Sequence, residues 1–322
     1  MELKLKMIHF QLTRRCNLHC HFCGQKRNAD PRPMETADWL RLMEELAPQA
    51  KDTIIVLWGG EPTIAPNFET IAAQAFQMGF HLHIITNGTR LEQWAPFLKE
   101  RFDEVFLSVD GPEPIHDAIR GKGVFDTIRR NLPRLTGGCA RVSIMTVAAP
   151  ESLAFLDQIP FGLPVDRAIL HELIYLDDAE AAQLPPEVAA AWHANHTEEY
   201  KRDLAQTIAH LKNTTFPIPV EFQPHGIEGF CREPYWHLHV GSGGETGFCT
   251  DFTHYSLGNV HDHSLYEIFH GEAAENFRKV GRIVFCNHCA WKNTPLTIQH
   301  FPCKSNGHYL ETTGMTPILL KL

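Results

Sequence analysis

The chain has 322 residues, and its 29 basic and 38 acidic side chains give a formal net charge of −9. With 43% apolar and 21% charged residues it has the composition of a folded protein with a buried core, in two domains or one large one. The sequence contains no run of about 18 apolar residues that could span a membrane, and residues 1–10 do not resemble a signal peptide, so we expect a cytoplasmic protein. The excess of acidic side chains argues against a dedicated nucleic-acid binder.

Residues 4–180 alternate between strand-like and helix-like segments. The strand-like runs lie at 5–12, 53–58, 81–86, 104–109, 142–147 and 167–175. Helical patterns separate them at about 35–47, 68–78, 90–100, 124–135 and 151–158. Six β/α units of this kind predict a parallel sheet, either doubly wound or curled into a partial barrel. Because active sites in such folds gather at the C-terminal ends of the strands, the residues that follow each strand are the first candidates for function.

The pattern changes after residue 185. A helical segment at about 186–211 is followed by strand-like pieces at 218–222 and 237–240, a glycine-rich turn at 241–247 and an amphipathic helix at about 263–279. We therefore predict two domains, 1–212 and 213–322.

Three cysteines directly follow the first predicted strand. Cys16, Cys20 and Cys23 have the spacing CxxxCxxC, which is typical of metal ligands, and nine cysteines in a chain without an export signal are expected to stay reduced. Three thiolates can hold three irons of a [4Fe–4S] cluster and leave the fourth iron open, whereas a structural zinc site needs four protein ligands. We predict an iron–sulfur cluster here, with a partial zinc site or coincidental thiols as the alternative.

The cysteine motif resembles that of the radical S-adenosylmethionine (SAM) enzymes, and further segments match at successive strand ends. Gly59, Gly60 and Glu61 resemble the family's GGE segment, which implies that this backbone and the Glu61 carboxylate hold the methionine amino group of SAM. Phe22 precedes the last cysteine of the motif, a position that implies packing near the adenine. An ordinary core aromatic is the alternative for Phe22.

Two later strand ends extend the resemblance. It implies that Ser108 hydrogen-bonds a ribose hydroxyl or the carboxylate of SAM, and that Asn87 and Asp110 face SAM or the substrate. A plain strand-end turn is the alternative. The fifth strand lacks the glycines of the family's fifth-strand motif, so we assign no residue there.

A second group of cysteines lies in the C-terminal region. Cys231 and Cys249 flank a predicted hairpin, and Cys286 and Cys289 form a CxxC motif. Their order and spacing resemble the shortened auxiliary-cluster form, called twitch, of the SPASM extension, which implies a second [4Fe–4S] cluster on these four cysteines. A zinc knuckle with four cysteines is the alternative.

Two cysteines remain outside both groups. We expect Cys139 to be a small buried side chain at the bottom of the fold. Cys303 is either structural or a hydrogen-atom donor to a substrate radical.

The resemblance as a whole implies a partial (β/α)6 TIM-like barrel with a smaller twitch-like domain. The implied activity is that of a radical SAM oxidoreductase, which cleaves SAM reductively and removes hydrogen from an unactivated C–H through a 5′-deoxyadenosyl radical. A flavodoxin- or ferredoxin-type protein would supply the electron.

The substrate is left open by the sequence. The first hypothesis is oxidative modification or cross-linking of a ribosomally made peptide, helped by a separate peptide-recognition protein because little chain precedes Cys16. The second is a dehydrogenase or epimerase of a small polar metabolite such as a sugar, aminocyclitol or aminoglycoside. The third, from another class, is a non-catalytic iron–sulfur or zinc sensor module.

Overall fold

The fold is that of a computed structural model of the chain. The structure describes residues 3–24, 32–138, 140–173, 176, 178–184, 186, 189, 198–223, 233–250, 255–280, 286, 297–302, 308–313 and 318–320.

Strands β1 to β6 follow one another through the first half of the chain. They lie at Met7–Thr13, Ile54–Gly59, His81–Thr86, Glu104–Ser108, Arg141–Ala148 and Arg167–Glu172. Strands β7 to β13 lie at Val220–Gln223, His237–Val240, Glu245–Gly247, Gly258–Asn259, Thr297–Pro302, His308–Thr313 and Ile318–Leu320.

Helices α1 to α9 separate and follow these strands. They lie at Thr36–Leu46, Phe68–Gln77, Leu91–Arg101, Glu113–Arg120, Val124–Asn131, Asp178–Ala181, Glu198–Leu211, Leu265–His270 and Glu272–Val280. Within the described part of the chain, no helix is long and apolar enough to cross a membrane.

The strands form a mainly parallel sheet. Its eleven strands have the order β10-β9-β8-β1-β2-β3-β4-β5-β6-β7-β13, and every neighbouring pair from β8 to β7 is parallel. The predicted α/β class and the predicted parallel pairing of the first six strands are confirmed. Because these strands run in one direction, their C-terminal ends share one edge of the sheet.

The sheet extends beyond the six predicted strands. β7 pairs in parallel with β6, and β8 pairs in parallel with β1, so strands that follow residue 213 lie at both edges of the barrel sheet. Local periodicity does not reveal such long-range pairing. The boundary near residue 213 stays a prediction, although the two regions share one sheet.

Helix α1 ties the second region to the barrel. The Glu45 carboxylate accepts a hydrogen bond from the first backbone N–H of α8 at Leu265, 2.7 Å away, and Arg41 donates to the carbonyl of Val260. A carboxylate at a helix N-terminus satisfies an otherwise unpaired N–H and interacts favourably with the helix dipole.

Two helical predictions differ from the structure, and a third lies partly outside the described residues. The segment predicted as a helix at 151–158 is a 3₁₀ helix at Leu153–Gln158. The single helix predicted at 263–279 is two helices, because Gly271 leaves the helical conformation and ends α8. Of the helix predicted at 186–211, the described part is α7, Glu198–Leu211, together with residues 186 and 189.

Alternate residues of β1 face opposite sides of the sheet. Ile8 and Phe10 are fully buried under the helices, and the Phe10 ring lies 4.8 Å from that of Trp39 on α1. Burying a side chain of this size stabilises the fold by about 1.5–3 kcal/mol. The other face of β1, with Met7 and His9, lines the interior of the barrel beside Val56.

Candidate functional site

The three cysteines of the first motif lie on one loop immediately after β1. The N–H of Cys23 donates to the carbonyl of Cys20 at 3.2 Å, and the N–H of Leu18 points at Cys16 Sγ at 3.4 Å. Burial raises the pKa of the Cys16 and Cys20 thiols, and the nearby charge of Cys23 raises both further. The thiols are therefore neighbours at the C-terminal edge of the sheet.

The three thiols lie on one loop, as the ligands of a four-iron cluster can. Among the described residues, no group of three or more His, Cys, Asp or Glu side chains is arranged to hold one metal ion. In a four-iron cluster each cysteine binds a different iron, so the thiols need not converge on a common point. Three neighbouring thiols on one loop fit three irons of such a cluster.

Gly59 and Gly60 hold the cysteine loop against the end of β2. The N–H of Gly60 donates to the carbonyl of Thr13 at 2.8 Å, and the N–H of Glu61 donates to that of Arg15 at 2.9 Å. A Cβ on Gly60 would lie 2.1 Å from the Arg15 oxygen, and one on Gly59 would lie 2.3 Å from the Thr13 oxygen. Only glycine permits this approach of the two backbones.

The Glu61 carboxylate is enclosed by the protein. It is fully buried and accepts hydrogen bonds from Thr63 N–H and Oγ1, from Thr86 Oγ1 and from the Asn87 N–H, at 2.6–3.1 Å. Burial raises the pKa of Glu61, and the hydrogen bonds from Thr63 counteract that effect. Its contacts join the end of β2 to the end of β3, and the expectation that this carboxylate holds the amino group of SAM stays a prediction.

Asn87 lies beside the cysteine loop, as its strand-end position predicts. Its amide nitrogen donates to Asn17 Oδ1 at 2.9 Å and lies 3.8 Å from Cys16 Sγ. Its amide oxygen accepts from Thr89. Asn87 is buried, and its contacts with Asn17 and Cys16 attach the end of β3 to the loop of Cys16.

Asp110 is buried and paired with protein groups, and the expectation that it faces SAM or the substrate stays a prediction. The side chain is fully buried, and its two oxygens accept from Arg120 Nε and from the Val147 N–H. Ser108 lies half-buried at the end of β4. Of these two candidates, Ser108 retains its predicted place at the edge of the sheet, and Asp110 positions an arginine.

Arg120 is a residue of the site to which sequence reasoning assigned no role. Its terminal nitrogen lies 3.9 Å from Cys20 Sγ, and its guanidinium carbon lies 5.9 Å from the centre of the Phe22 ring. Burial alone would lower the pKa of Arg120, but the Asp110 carboxylate outweighs burial and raises it, so the cation persists. The sequence contains one signal for this ion pair: Asp110 follows a strand, and Arg120 lies in the last turn of the helix that comes next.

The predicted hairpin of the second cysteine group is present. β8 and β9 pair antiparallel, and Cys249 follows two residues after β9. Cys286 is described and partly buried, whereas Cys231 and Cys289 lie outside the described residues. Cys139 and Cys303 also lie outside them.

Comparisons with known proteins agree with this arrangement. The radical SAM superfamily model matches residues 10–152, and a model of an iron–sulfur cluster-binding domain, SPASM, matches residues 231–290. The first match contains the loop of Cys16, Cys20 and Cys23, the pair Gly59 and Gly60 that holds it (the glycine clamp), and Arg120. The second contains Cys231, Cys249, Cys286 and Cys289.

Similar proteins include enzymes with different substrates. The AdoMet-dependent heme synthase of Oleidesulfovibrio alaskensis is 25% identical in an alignment of 327 positions, gaps included, that covers 89% of this chain and 81% of that protein. The mycofactocin maturase MftC of Mycolicibacterium smegmatis is 30% identical over 154 residues, only 46% of this chain and 39% of the maturase.

A solved structure shares the fold. Streptococcus suis SuiB bound to S-adenosylmethionine superposes with a TM-score of 0.65 at 13% identity, over 90% of this chain and 73% of SuiB. With both family models matched in the order of the two cysteine groups, the chain belongs to the radical SAM superfamily and carries a SPASM iron–sulfur domain in its C-terminal part.

Proposed function

We propose that this radical SAM enzyme cleaves SAM reductively and removes a hydrogen atom from an unactivated C–H of its substrate. The family implies SAM and a [4Fe–4S] cluster as cofactors, and the SPASM domain implies auxiliary iron–sulfur chemistry. When bound, cluster and SAM together supply a 5′-deoxyadenosyl radical. The observation that carries the proposal is the three-cysteine loop held by the glycine clamp at the C-terminal edge of the sheet.

The chain's own residues would bind and orient these groups. Cys16, Cys20 and Cys23 would hold the cluster, while backbone oxygens of the segment around Gly60 would accept from the amino group of SAM. Arg120, a cation beside Cys20, suits the carboxylate of SAM because charge-assisted hydrogen bonds are the strong ones. Ser108 and Phe22 would add a hydroxyl and an aromatic face.

The second cysteine group would hold an auxiliary [4Fe–4S] cluster. Cys249 and Cys286, with Cys231 and Cys289, would be its ligands. A cluster there can accept the electron that a substrate radical must lose when the net reaction is an oxidation. This assignment makes the enzyme an oxidoreductase that needs a flavodoxin- or ferredoxin-type donor for the first electron.

A ribosomally made peptide is the first candidate substrate. The maturase MftC and SuiB, which has been solved with its precursor peptide SuiA, support this class. Oxidative modification or cross-linking would then be the outcome, and a separate peptide-recognition protein would be a further partner.

An iron tetrapyrrole or its precursor is the second candidate. A specific observation favours it, because the alignment with the heme synthase spans 89% of this chain, whereas the alignment with the maturase spans 46%. The alignment with the heme synthase therefore includes more of the chain outside residues 10–152, the part that matches the radical SAM model, than the alignment with the maturase does. On this ground the tetrapyrrole is the better supported of the two substrates.

One experiment tests the activity and separates the substrates. The anaerobically reconstituted enzyme is incubated with SAM, reduced flavodoxin and either iron-coproporphyrin III or short peptides encoded beside its gene. The tetrapyrrole proposal expects faster 5′-deoxyadenosine formation and a mass change only with the iron porphyrin. A mass change only in a peptide would support the first candidate instead, and no 5′-deoxyadenosine in any mixture would contradict both.

A further inference from the structure

The turn between β8 and β9, residues 241–244, has no role in the steps above, although it lies against the cysteine loop. Arg14 precedes the first cysteine of the motif by two residues, and its guanidinium pairs with the Glu245 carboxylate, 231 positions later in the chain. On the other side of the motif, the N–H of Met34 donates to the carbonyl of Ser242 at 2.8 Å. The second region of the chain therefore contacts the first both before and after the three cysteines.

The turn holds the Glu245 side chain in one orientation. The N–H of Gly243 donates to Glu245 Oε2 at 3.1 Å, and Oε1 accepts from Arg14. The carboxylate folds back over Gly241, because a Cβ on Gly241 would lie 2.1 Å from Glu245 Oε1. The absence of a side chain at position 241 therefore provides the space from which this carboxylate reaches Arg14.

The backbone of the turn is itself attached to the rest of the second region. Asn259 Nδ2 donates to the carbonyl of Gly243 at 3.0 Å, and the N–H of Val260 donates to the carbonyl of Gly244 at 2.9 Å. The N–H of Gly241 donates to the backbone carbonyl of Glu245 at 2.7 Å. Because the backbone on both sides of the turn is hydrogen-bonded, Glu245 presents its carboxylate from a fixed position.

Arg14 is held from two directions. Its side chain contacts Glu245, and its backbone oxygen lies only 2.6 Å from the position that a Cβ on Gly60 would occupy. The side chains of Arg14 and Glu245 are 26% and 25% exposed, so solvent screens this pair less than it screens a fully exposed one. The backbone that leads to Cys16 therefore lies between the glycine clamp of β2 and a charged contact from the second region.

We propose that Glu245 is a positioning residue for the loop at which SAM is cleaved, and that it acts through Arg14. This role rests on the proposed function, because it takes the loop of Cys16, Cys20 and Cys23 to hold the cluster. SAM would be bound jointly at that loop and by the segment around Gly60. A small displacement of the loop relative to that segment would then weaken SAM binding even when the cysteines keep their iron.

Two single substitutions break the contact in different ways. Glu245→Gln keeps the shape of the side chain but has a single acceptor oxygen for two donors, Gly243 and Arg14. Gly241→Ala keeps every charge, and the three atoms nearest to its methyl group all belong to the flexible end of Glu245. We expect each variant to bind SAM about threefold or more weakly in equilibrium dialysis of the reconstituted enzyme, as for other residues in contact, with the iron content and the urea-unfolding midpoint of the wild type.

A double-mutant cycle shows whether the effect passes through the pair. Arg14→Gln also breaks the contact, so Arg14→Gln combined with Glu245→Gln should bind SAM little more weakly than the weaker single variant. Arg14→Lys keeps a cation opposite Glu245 and should retain most of the affinity. Asp262→Asn is the matched control: it removes an exposed ion pair with Arg32 that also joins the two regions, and SAM affinity should not change.

The outcomes separate this inference from the proposed function. Wild-type SAM affinity in both Glu245→Gln and Gly241→Ala, or additive losses in the double variant, overturns the positioning role and leaves the proposed function standing. A loss of iron or of stability that accounts for the weaker binding in both variants shows a merely structural contact and also overturns it. Failure of the wild type with its full iron to bind SAM overturns the positioning role and the proposed function together.

Discussion

At the scale of single residues, the candidate site depends on how closely two backbones approach. Gly60 and Glu61 donate to carbonyls on the cysteine loop, and a side chain on Gly60 would occupy the position of the Arg15 oxygen. The loop that presents Cys16 therefore takes its shape from a segment forty-odd residues later in the chain.

Gly60→Ala tests this clamp. Its methyl group would meet backbone atoms of Arg14 and Arg15 that cannot move without the loop, so we expect loss of most SAM-dependent 5′-deoxyadenosine and of about four irons per chain. Iron analysis and product quantification measure both effects.

Gly79→Ala is the control for the clamp. Gly79 has a φ of +85° but meets nothing within 4 Å, so this variant has backbone strain without collision. It should lose about 1 kcal/mol of stability and keep its iron. Equal iron loss in the two variants would show that Gly60 has no special role at the loop.

Arg120→Gln tests the proposed contact with SAM. Removing one charge-assisted hydrogen bond costs about 1.5–3 kcal/mol, so SAM affinity measured by equilibrium dialysis should fall by roughly tenfold or more while the iron content stays. Arg129→Gln removes a cation paired with Asp126 on an exposed surface of α5 and serves as the control. Unchanged SAM affinity in Arg120→Gln would contradict the assignment.

Single residues also show which parts of the candidate site can be predicted from the sequence. Spacing alone predicted Cys16, Cys20 and Cys23 as neighbours, because a short loop after a strand keeps them together. Spacing could not show that Glu61 and Asp110 are buried, since their partners come from other strand ends and from α4.

At the scale of elements, one buried charge network joins four neighbouring strands. Glu104 begins β4 and bonds Arg141 of β5 and Arg167 of β6, while Arg167 also bonds Glu221 of β7. Burial alone would raise the pKa of Glu104, but the charges of Arg167 and Arg141 lower it to about 2.

This network predicts a pH-dependent stability. The unfolded Glu104 binds a proton near its ordinary value of 4.5 and the folded one only near 2, so its stabilisation is complete above about pH 4.5 and is lost as the pH falls toward 2. Glu104→Gln should cost about 3–5 kcal/mol at neutral pH, because it leaves buried arginine charges unbalanced.

Urea unfolding of wild type and Glu104→Gln over a range of pH measures the difference, and the common loss of clusters in acid cancels in the comparison. The two stabilities should converge as the pH falls. Glu100→Gln, at an exposed ion pair, is the control and should change stability by less than about 0.5 kcal/mol. A difference that is small and constant with pH would contradict the network's importance.

The elements show a limit of sequence reasoning as well. The six parallel strands were predictable because apolar, strand-like runs alternate with helical patterns along the first half of the chain. The joining of β8 to β1 was not, because it depends on register between residues more than two hundred positions apart, such as His9 and His239.

At the scale of the whole molecule, the sheet and α1 connect the barrel to the region that contains the second cysteine group. β8 leads into the turn and strand that precede Cys249, and β8 itself pairs with the strand that leads to Cys16. Cys16 and Cys249, one cysteine from each group, therefore both follow strands of one sheet.

Replacing Cys286 and Cys289 by Ala tests the division of labour between the clusters. We expect loss of about four of eight irons, retention of some uncoupled SAM cleavage, and loss of product. Iron analysis together with 5′-deoxyadenosine quantification checks this. Equal loss of SAM cleavage and product would mean that the second site is mainly structural.

The central claim is that the loop of Cys16, Cys20 and Cys23 holds the cluster at which SAM is cleaved. The most direct measurement is 5′-deoxyadenosine formed from SAM and reductant by the anaerobically reconstituted chain, beside a variant with all three cysteines replaced by Ala. We expect 5′-deoxyadenosine from the wild type and none from the variant. Product from the variant, or none from a wild type that contains its full iron, would contradict it.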